Sequence, residues 1–309
     1  MDFMYLHWLE GLRTPLLNNL FFGVTALGSG VFYQTVILLL YWCFSKRAGT
    51  LLMVAHAVGA IFLFGWKVLA AVPRPYLIDT TLKPLAFERS YSFPSGHSFN
   101  AGSVWGGLAW VQAKAGRFAL AALCFAVVLL VMLSRNYIGV HTPQDVIVGM
   151  LLGLGAVAAC EVLLRWGAQN EVNRSIVYLL LMLGALGFFA FAFVGCAVDD
   201  TLDKVTRGAY LSTQKGALTV LGHMLGIVVG LELERRFVSF STDVSLKYKL
   251  LRAVPGLIIS AVLYKLPLDF LGAELARFLR MFGYTVFVLA IYPAMWQLWE
   301  PQQRMYIRR

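Results

Sequence analysis

Between residues 21 and 44 the chain carries no charged side chain. About 20 consecutive apolar residues are enough for a helix to cross the hydrocarbon core of a bilayer. Comparable runs follow at 51–66, 97–113, 118–134, 145–164, 175–198, 216–233, 250–266 and 281–299. The second should continue through Lys67 towards Pro73, where proline breaks it. The eighth is the weakest, with Arg252 and Pro255 near its start and Lys265 and Pro267 at its end. The expected fold is all-α: a polytopic membrane helix bundle of about nine transmembrane helices.

Composition supports that reading and removes others. Hydrophobic residues make up 59% of the 309 residues, charged residues 14%, and the mean hydropathy is +0.72. Soluble domains average about 45–50% apolar and about 25% charged residues. Intrinsic disorder is excluded by the same excess. The net charge of +10 suits anionic lipid headgroups or an anionic substrate. No dense basic run points to nucleic acid. Cys43, Cys124, Cys160 and Cys196 form no C-x-x-C pair and read as small buried hydrophobes. The first twenty residues, interrupted by His7, Glu10 and Arg13, read as a short interfacial helix rather than a signal peptide.

Nine alternating spans would bring segments 73–96 and 135–144 to one membrane face. The loops around Lys46/Arg47 and Lys114/Arg117, with the Arg304/Arg308/Arg309 tail, fall on the other. Those two short loops are purely basic, which makes their face cytoplasmic by the positive-inside rule. Gly102/Gly106 and Gly149/Gly153 form G-x-x-x-G pairs, ordinarily explained by helix packing.

Charge inside or beside these spans marks the chemistry. Lys67 precedes Arg74 by seven residues, about two helical turns, so both side chains point to one side if the helix reaches that far. Phe93-Pro94-Ser95-Gly96-His97-Ser98 directly precedes an apolar run. Its free amides and helix dipole would form an anion site. Gly96 permits close backbone approach, Ser95 adds a hydroxyl, and His97 titrates near neutrality. Arg135 ends one run and Asp145 opens the next, with His141 between them. His141 and Asp145, four apart, can meet across a helical turn. A carboxylate beside a histidine fixes its tautomer and stabilises its cation, as in a serine-protease triad. Three cations, a helix N-terminus, two histidines and one aspartate suit phosphate transfer, which is dominated by positioning and charge stabilisation. No carboxylate cluster accompanies them to hold magnesium, so no metal and no cofactor are expected. These features leave open which histidine attacks.

Together, Lys67-x6-Arg74-Pro75, Pro94-Ser95-Gly96-His97 and Ser134-Arg135-x5-His141-x3-Asp145 resemble the three-part signature of the type 2 phosphatidic acid phosphatase superfamily, integral-membrane lipid phosphatases. The resemblance covers residues 67–145, and the similar core reaches about residue 165. It implies that His141 attacks phosphorus, Asp145 orients it, and His97 protonates the leaving oxygen and then activates water. It also implies that Lys67, Arg74 and Arg135 hold the phosphate oxygens, with Ser95 and Gly96 assisting. The chain then divides into a phosphatase core, residues 1–166, and a four-span extension, residues 167–309. It looks like the long subgroup of bacterial and sphingosine 1-phosphate phosphatase-like members. The implied partner is a lipid phosphate or pyrophosphate, and the implied site faces the periplasm, cell exterior or an organelle lumen. A bell-shaped pH profile and inhibition by vanadate are expected.

Two alternatives use the same residues differently: a phosphotransferase with an alcohol acceptor, and a polyprenyl-phosphate or lipid transporter. His56 and His223 read as hydrogen-bonded structural histidines. Asp199, Asp200 and Asp203 read as a solvated acidic loop. Glu88, Arg89, Tyr91 and Asn100 lie near the signature, but the sequence gives them no role.

Overall fold

A computed structural model describes residues 3–88, 90–198 and 201–300. Arg89, Asp199, Asp200, Arg304, Arg308 and Arg309 lie outside the described residues. Among the described residues the regular elements are all helices, with no strand. In order, α1 (Met4–Gly11) and α2 (Pro15–Ala26) lead into α3 (Gly30–Leu39), which ends in a π-helical turn, Leu40–Phe44. α4 (Lys46–Ala70) is followed by the short α5 (Pro75–Ile78). α6 (Gly96–Ala101) passes through a π turn, Gly102–Gly106, into α7 (Gly107–Lys114). α8 (Phe118–Tyr137), α9 (Pro143–Gly167) and α10 (Glu171–Ala190) follow. The last four are α11 (Lys204–Leu233), α12 (Leu246–Tyr264), α13 (Ala273–Val286) and α14 (Tyr292–Met295).

Six helical stretches are long and apolar enough to cross a membrane: Lys46–Ile78, Phe118–Tyr137, Pro143–Gly167, Glu171–Gly195, Lys204–Val238 and Ala273–Met295. Among the described residues a seventh results only if Pro15–Ala26 and Gly30–Phe44, bent by 48° to each other, count as one span. The expected count of nine is therefore not reproduced. α12 falls short because Lys247, Lys249 and Arg252 crowd its first half. The α6–α7 stretch is diluted by His97, Asn100, Ser103 and Gln112. The single straight span expected over 21–44 is broken at Leu27-Gly28-Ser29. Carbonyls freed there find donors across the bundle: Trp105 Nε1 donates to Leu27 O at 3.1 Å, and Asn100 Nδ2 to Gly28 O at 2.8 Å.

Local signals set the ends that matter. Ser45 accepts from the Ala48 amide and starts α4, which stops in a left-handed Ala71 (φ 48°) ahead of Pro73. α8 stops at Gly139, whose φ of 82° suits glycine and reverses the chain towards His141. α9 opens with Pro143 in its first turn and a reciprocal capping box between Thr142 and Asp145. α11 begins at Lys204, twelve residues before the expected 216, because Asp203 caps it by accepting from Val205 N and Thr206 N. The C-terminus of α4, the N-terminus of α6, the turn from α8 to α9 and the N-terminus of α11 thus gather at one end of the bundle.

Helix association in lipid cannot rely on hydrophobic burial and instead uses close packing of small residues. α9 meets α6 that way. A Cβ on Gly149 would lie 2.5 Å from the Ser95 carbonyl oxygen, and one on Gly153 would lie 2.5 Å from Ser103 N. The G-x-x-x-G pair is a packing device, and its work is to press the helix carrying Asp145 onto the loop carrying Ser95. The Ser95 amide closes the joint by donating to the Asp145 carbonyl at 2.9 Å.

Candidate active site

His141 and Asp145 are each 2% exposed. Arg74 Nη1 lies 2.9 Å from His141 Nε2. A guanidinium only donates, so Nε2 is the acceptor and the neutral ring carries its proton on Nδ1. Nδ1 lies 3.4 Å from Asp145 Oδ2 and 3.4 Å from Ser92 Oγ. Ser92 Oγ in turn donates to Asp145 Oδ2 at 2.6 Å. The same carboxylate oxygen accepts the Thr142 amide at 2.8 Å, and Asn136 Nδ2 donates to His141 O at 2.9 Å. The ring is thereby held on its backbone side and at Nδ1, leaving Nε2 beside the arginine. Burial, then Arg74, Arg135, Lys67 and His97, holds the His141 imidazole well below the usual histidine range. It is neutral at neutral pH.

The three cations converge, but α4 ends at Ala70 and Arg74 lies beyond it in extended backbone, so a shared helical face is not what brings Lys67 and Arg74 together. Arg74 also donates to Val140 O at 3.0 Å and, through Nε, to Ser90 O at 2.8 Å. Lys67 Nζ donates to Tyr91 O at 2.8 Å. Arg135 donates to Glu88 Oε1 at 2.7 Å and to Thr25 Oγ1 at 3.1 Å, while its Nε is buried without a partner. Burial pushes the Glu88 carboxyl up, but Arg135 and Arg74 outweigh this and leave it below the usual range. An anionic carboxylate therefore sits among the cations. Ser95 behaves differently from expectation: its hydroxyl caps α6, accepting from Ser98 N at 3.4 Å and Ser98 Oγ at 3.1 Å. The amides of Gly96 and His97, in the first turn of α6, have no intrahelical partner by position.

Lys67, Arg74, Gly96, His97, Arg135 and His141 all line one cavity of about 490 Å³, with Glu88 and Ser90 beside them. Ser95 and Asp145 stand behind its wall. The cavity continues between apolar residues such as Ile37, Leu38, Ala60, Leu63 and Met281. Among the described residues, no group of three or more His, Cys, Asp and Glu side chains is placed to hold a metal ion. The sequence reading missed Ser92, Ser90, Asn136 and Thr142. Only Thr142 carried a usable signal, as the residue three before Asp145 in a capping box. His56 and His223 have the partners expected of structural histidines, Ser103 Oγ at 3.1 Å and Thr285 Oγ1 at 2.7 Å. All four cysteines are free and buried.

A helical membrane bundle that buries a neutral histidine among three cations, beside a cavity with many apolar residues, has the features of an integral-membrane phosphatase. Residues 48–169 match the PAP2 superfamily, and residues 218–304 match the PAP2 superfamily phosphatase transmembrane extension. The chain belongs to this superfamily of lipid phosphatases. It is 32% identical over 155 residues to phosphatidylglycerophosphatase B of Bacillus subtilis, covering 46% of this chain and 73% of that protein. It is 26% identical over 179 residues to a probable sphingosine-1-phosphate phosphatase of Dictyostelium discoideum, covering 53% of this chain and 43% of that one. The crystal structure of a transmembrane PAP2 type phosphatidylglycerolphosphate phosphatase from Bacillus subtilis aligns with a TM-score of 0.46 and 27% identity. That alignment covers 52% of this chain and 82% of the other.

Proposed function

We propose that the protein hydrolyses a lipid phosphomonoester or pyrophosphate through a phosphohistidine on His141, without a metal ion. The observation that carries this reading is the Nε2 of His141: unprotonated, 2.9 Å from Arg74, and lining the cavity that Lys67 and Arg135 share. Nε2 attacks phosphorus as the P–O bond to the leaving group breaks, and His97, which takes up a proton once the anionic phosphate lies beside it, gives that proton to the departing oxygen. His97 then takes a proton from water as that oxygen attacks phosphorus. The P–N bond breaks, inorganic phosphate leaves, and His141 recovers its lone pair. Asp145 and Ser92 hold the Nδ1 proton and stabilise the cation that forms. Lys67, Arg74 and Arg135 take the phosphoryl oxygens, aided by the Gly96 and His97 amides. Ser95 contributes by capping α6 and fixing those amides.

The three cations share their cavity with apolar residues such as Ile37, Leu38, Ala60, Leu63 and Met281, which fits a headgroup whose tail stays in lipid. The named relatives act on lipid phosphates, which agrees. The basic loops at Lys46/Arg47 and Lys114/Arg117 lie at the opposite end of α4 and α7, so the site faces away from the cytoplasm. The test is phosphate release by detergent-purified protein from a panel of lipid phosphates and pyrophosphates, with EDTA present. Release that survives EDTA, is blocked by vanadate and disappears in His141→Ala is expected. Full activity in His141→Ala, or appearance of a phosphorylated acceptor in place of free phosphate, would overturn it.

A further inference from the structure

The cavity does not end at the catalytic cluster. Beyond Leu63 and Phe64 its wall is built by α11 and α13, from the extension, and that wall carries Lys215 and Arg277. Helix register fixes their depth. α11 starts at the catalytic end, where the Thr206 and Tyr91 hydroxyls share a 2.7 Å hydrogen bond. Nine residues later, Lys215 lies roughly 14 Å further along the axis. Its neighbour Gly216 packs on Phe64, one turn before Lys67, since a Cβ there would lie 2.8 Å from the Phe64 ring. Arg277 is deeper still, because the carbonyl of the next residue, Phe278, lies against Gly222.

Both cations belong to stretches apolar enough to cross a membrane, Lys204–Val238 and Ala273–Met295. Cations at such positions are costly and as a rule face a partner or a cavity. Lys215 is exposed and Arg277 half-buried, and the charged group of neither makes a hydrogen bond or ion pair with another described residue. Glu88 is the only carboxylate among the described residues lining the cavity, and it is held by Arg135 at the other end. Nothing in the cavity neutralises Lys215 and Arg277, whereas an anionic ligand would. A lipid with a single phosphate would spend its charge on Lys67, Arg74 and Arg135 and leave the deeper pair unmatched.

We propose that Lys215 and Arg277 form a second anion site, which holds a further phosphate group of the same amphiphile, remote from the one cleaved. The proposal rests on the lipid phosphatase reading and narrows its substrate to lipids with two phosphate groups. The further group is either a phosphodiester linking headgroup to tail or the inner phosphate of a diphosphate. The depth of the pair favours the phosphodiester, because the phosphates of a diphosphate share one bridging oxygen and lie side by side.

The experiment compares three synthetic lipids with identical acyl chains: one phosphomonoester, one phosphomonoester plus phosphodiester, and one diphosphate. Each is turned over by the full-length protein and by Lys215→Gln/Arg277→Gln. The quantity read is kcat/KM for a two-phosphate lipid divided by that for the single-phosphate lipid. At least a tenfold fall in this ratio, carried by KM, is expected for the phosphodiester lipid, and the charge-conserving Lys215→Arg/Arg277→Lys should restore it. A fall for the diphosphate lipid instead would assign the second site to a diphosphate. Ratios unchanged within twofold for both lipids would overturn the proposal, as would a variant that loses all three activities together without rescue. If the unaltered protein releases phosphate from none of them, the hydrolase reading fails separately. The rise in Tm on adding each lipid to the two proteins then decides the second site without any turnover.

Discussion

His141 has to be a neutral nucleophile before the reaction and a cation after it. Burial and the surrounding cations secure the first condition; Asp145 and Ser92 at Nδ1 secure the second. The same environment has a cost in stability that pH reveals. With its folded value depressed, the native ring stays neutral while the unfolded ring gains a proton below about pH 6.5. The unfolded state then binds more protons, so stability is intact above that pH and declines as pH falls towards the folded value. One such group contributes a slope of at most about 1.4 kcal/mol per pH unit. Tm measured from pH 7 to pH 5 should therefore fall more steeply in the unaltered protein than in His141→Asn. Equal slopes would show that the ring is not held neutral. At this scale the sequence was informative where charges cluster beside apolar runs, as with Lys67 and Arg74 or His141 and Asp145, although neither pair shares a helix: α4 ends at Ala70 and α9 begins at Pro143. It was silent on Ser92 and Glu88. A serine or glutamate in a polar loop has no periodicity to betray it, and only the fold brings these two within 3 Å of Asp145 and Arg135.

Among the helices, the contact between α6 and α9 does most to position the site. It joins the Gly96–His97 amides to the capping box of Asp145 through backbone packed at van der Waals limits. Gly149→Ala puts a methyl group 2.5 Å from the Ser95 carbonyl oxygen, and backbone cannot swing aside as a side chain can. Overpacking of this kind costs about 1–3 kcal/mol. The variant should lose that stability in thermal unfolding. It should also lose kcat at temperatures where it remains folded, because relief comes from moving the loop before His97. Retained kcat would mean that the loop tolerates the shift. The G-x-x-x-G spacing was visible in the sequence, and so was the identity of most long helices. The break at 27–29 was not, because what stabilises it, Asn100 and Trp105 donating to the freed carbonyls, comes from a helix some seventy residues away. The count of nine is not reproduced for a related reason. α12 and the α6–α7 stretch are poor membrane spans taken alone, and their polar residues have partners or roles that only packing supplies.

Across the whole molecule, the extension is fastened to the core at the end opposite the catalytic cluster. Arg252, fully buried in α12, donates to both carboxylate oxygens of Glu300, at 2.9 Å from Nε and 2.5 Å from Nη2. It also donates to Trp42 O at 3.0 Å and Ser241 O at 2.7 Å, with its guanidinium 4.1 Å from the Trp296 ring centre. In the sequence Arg252 only weakened the case for a span; its function as a clamp depends on a partner 48 residues away. A buried pair adds little net stability over apolar residues of similar volume, but removing one member strands the other. Glu300→Leu should therefore destabilise the protein by about 3–5 kcal/mol. The double variant Arg252→Leu/Glu300→Leu should recover part of that loss, the remainder reflecting the Trp42 and Ser241 carbonyls left without donors. Thermal unfolding in detergent measures both. If the clamp acts only on docking, the catalytic constants of the double variant well below its Tm should match those of the unaltered protein. Additive losses in the two single variants and the double would show instead that Arg252 and Glu300 act independently, with the extension held by its other contacts, such as Lys46 with Glu234 and Trp42 Nε1 with Val288 O.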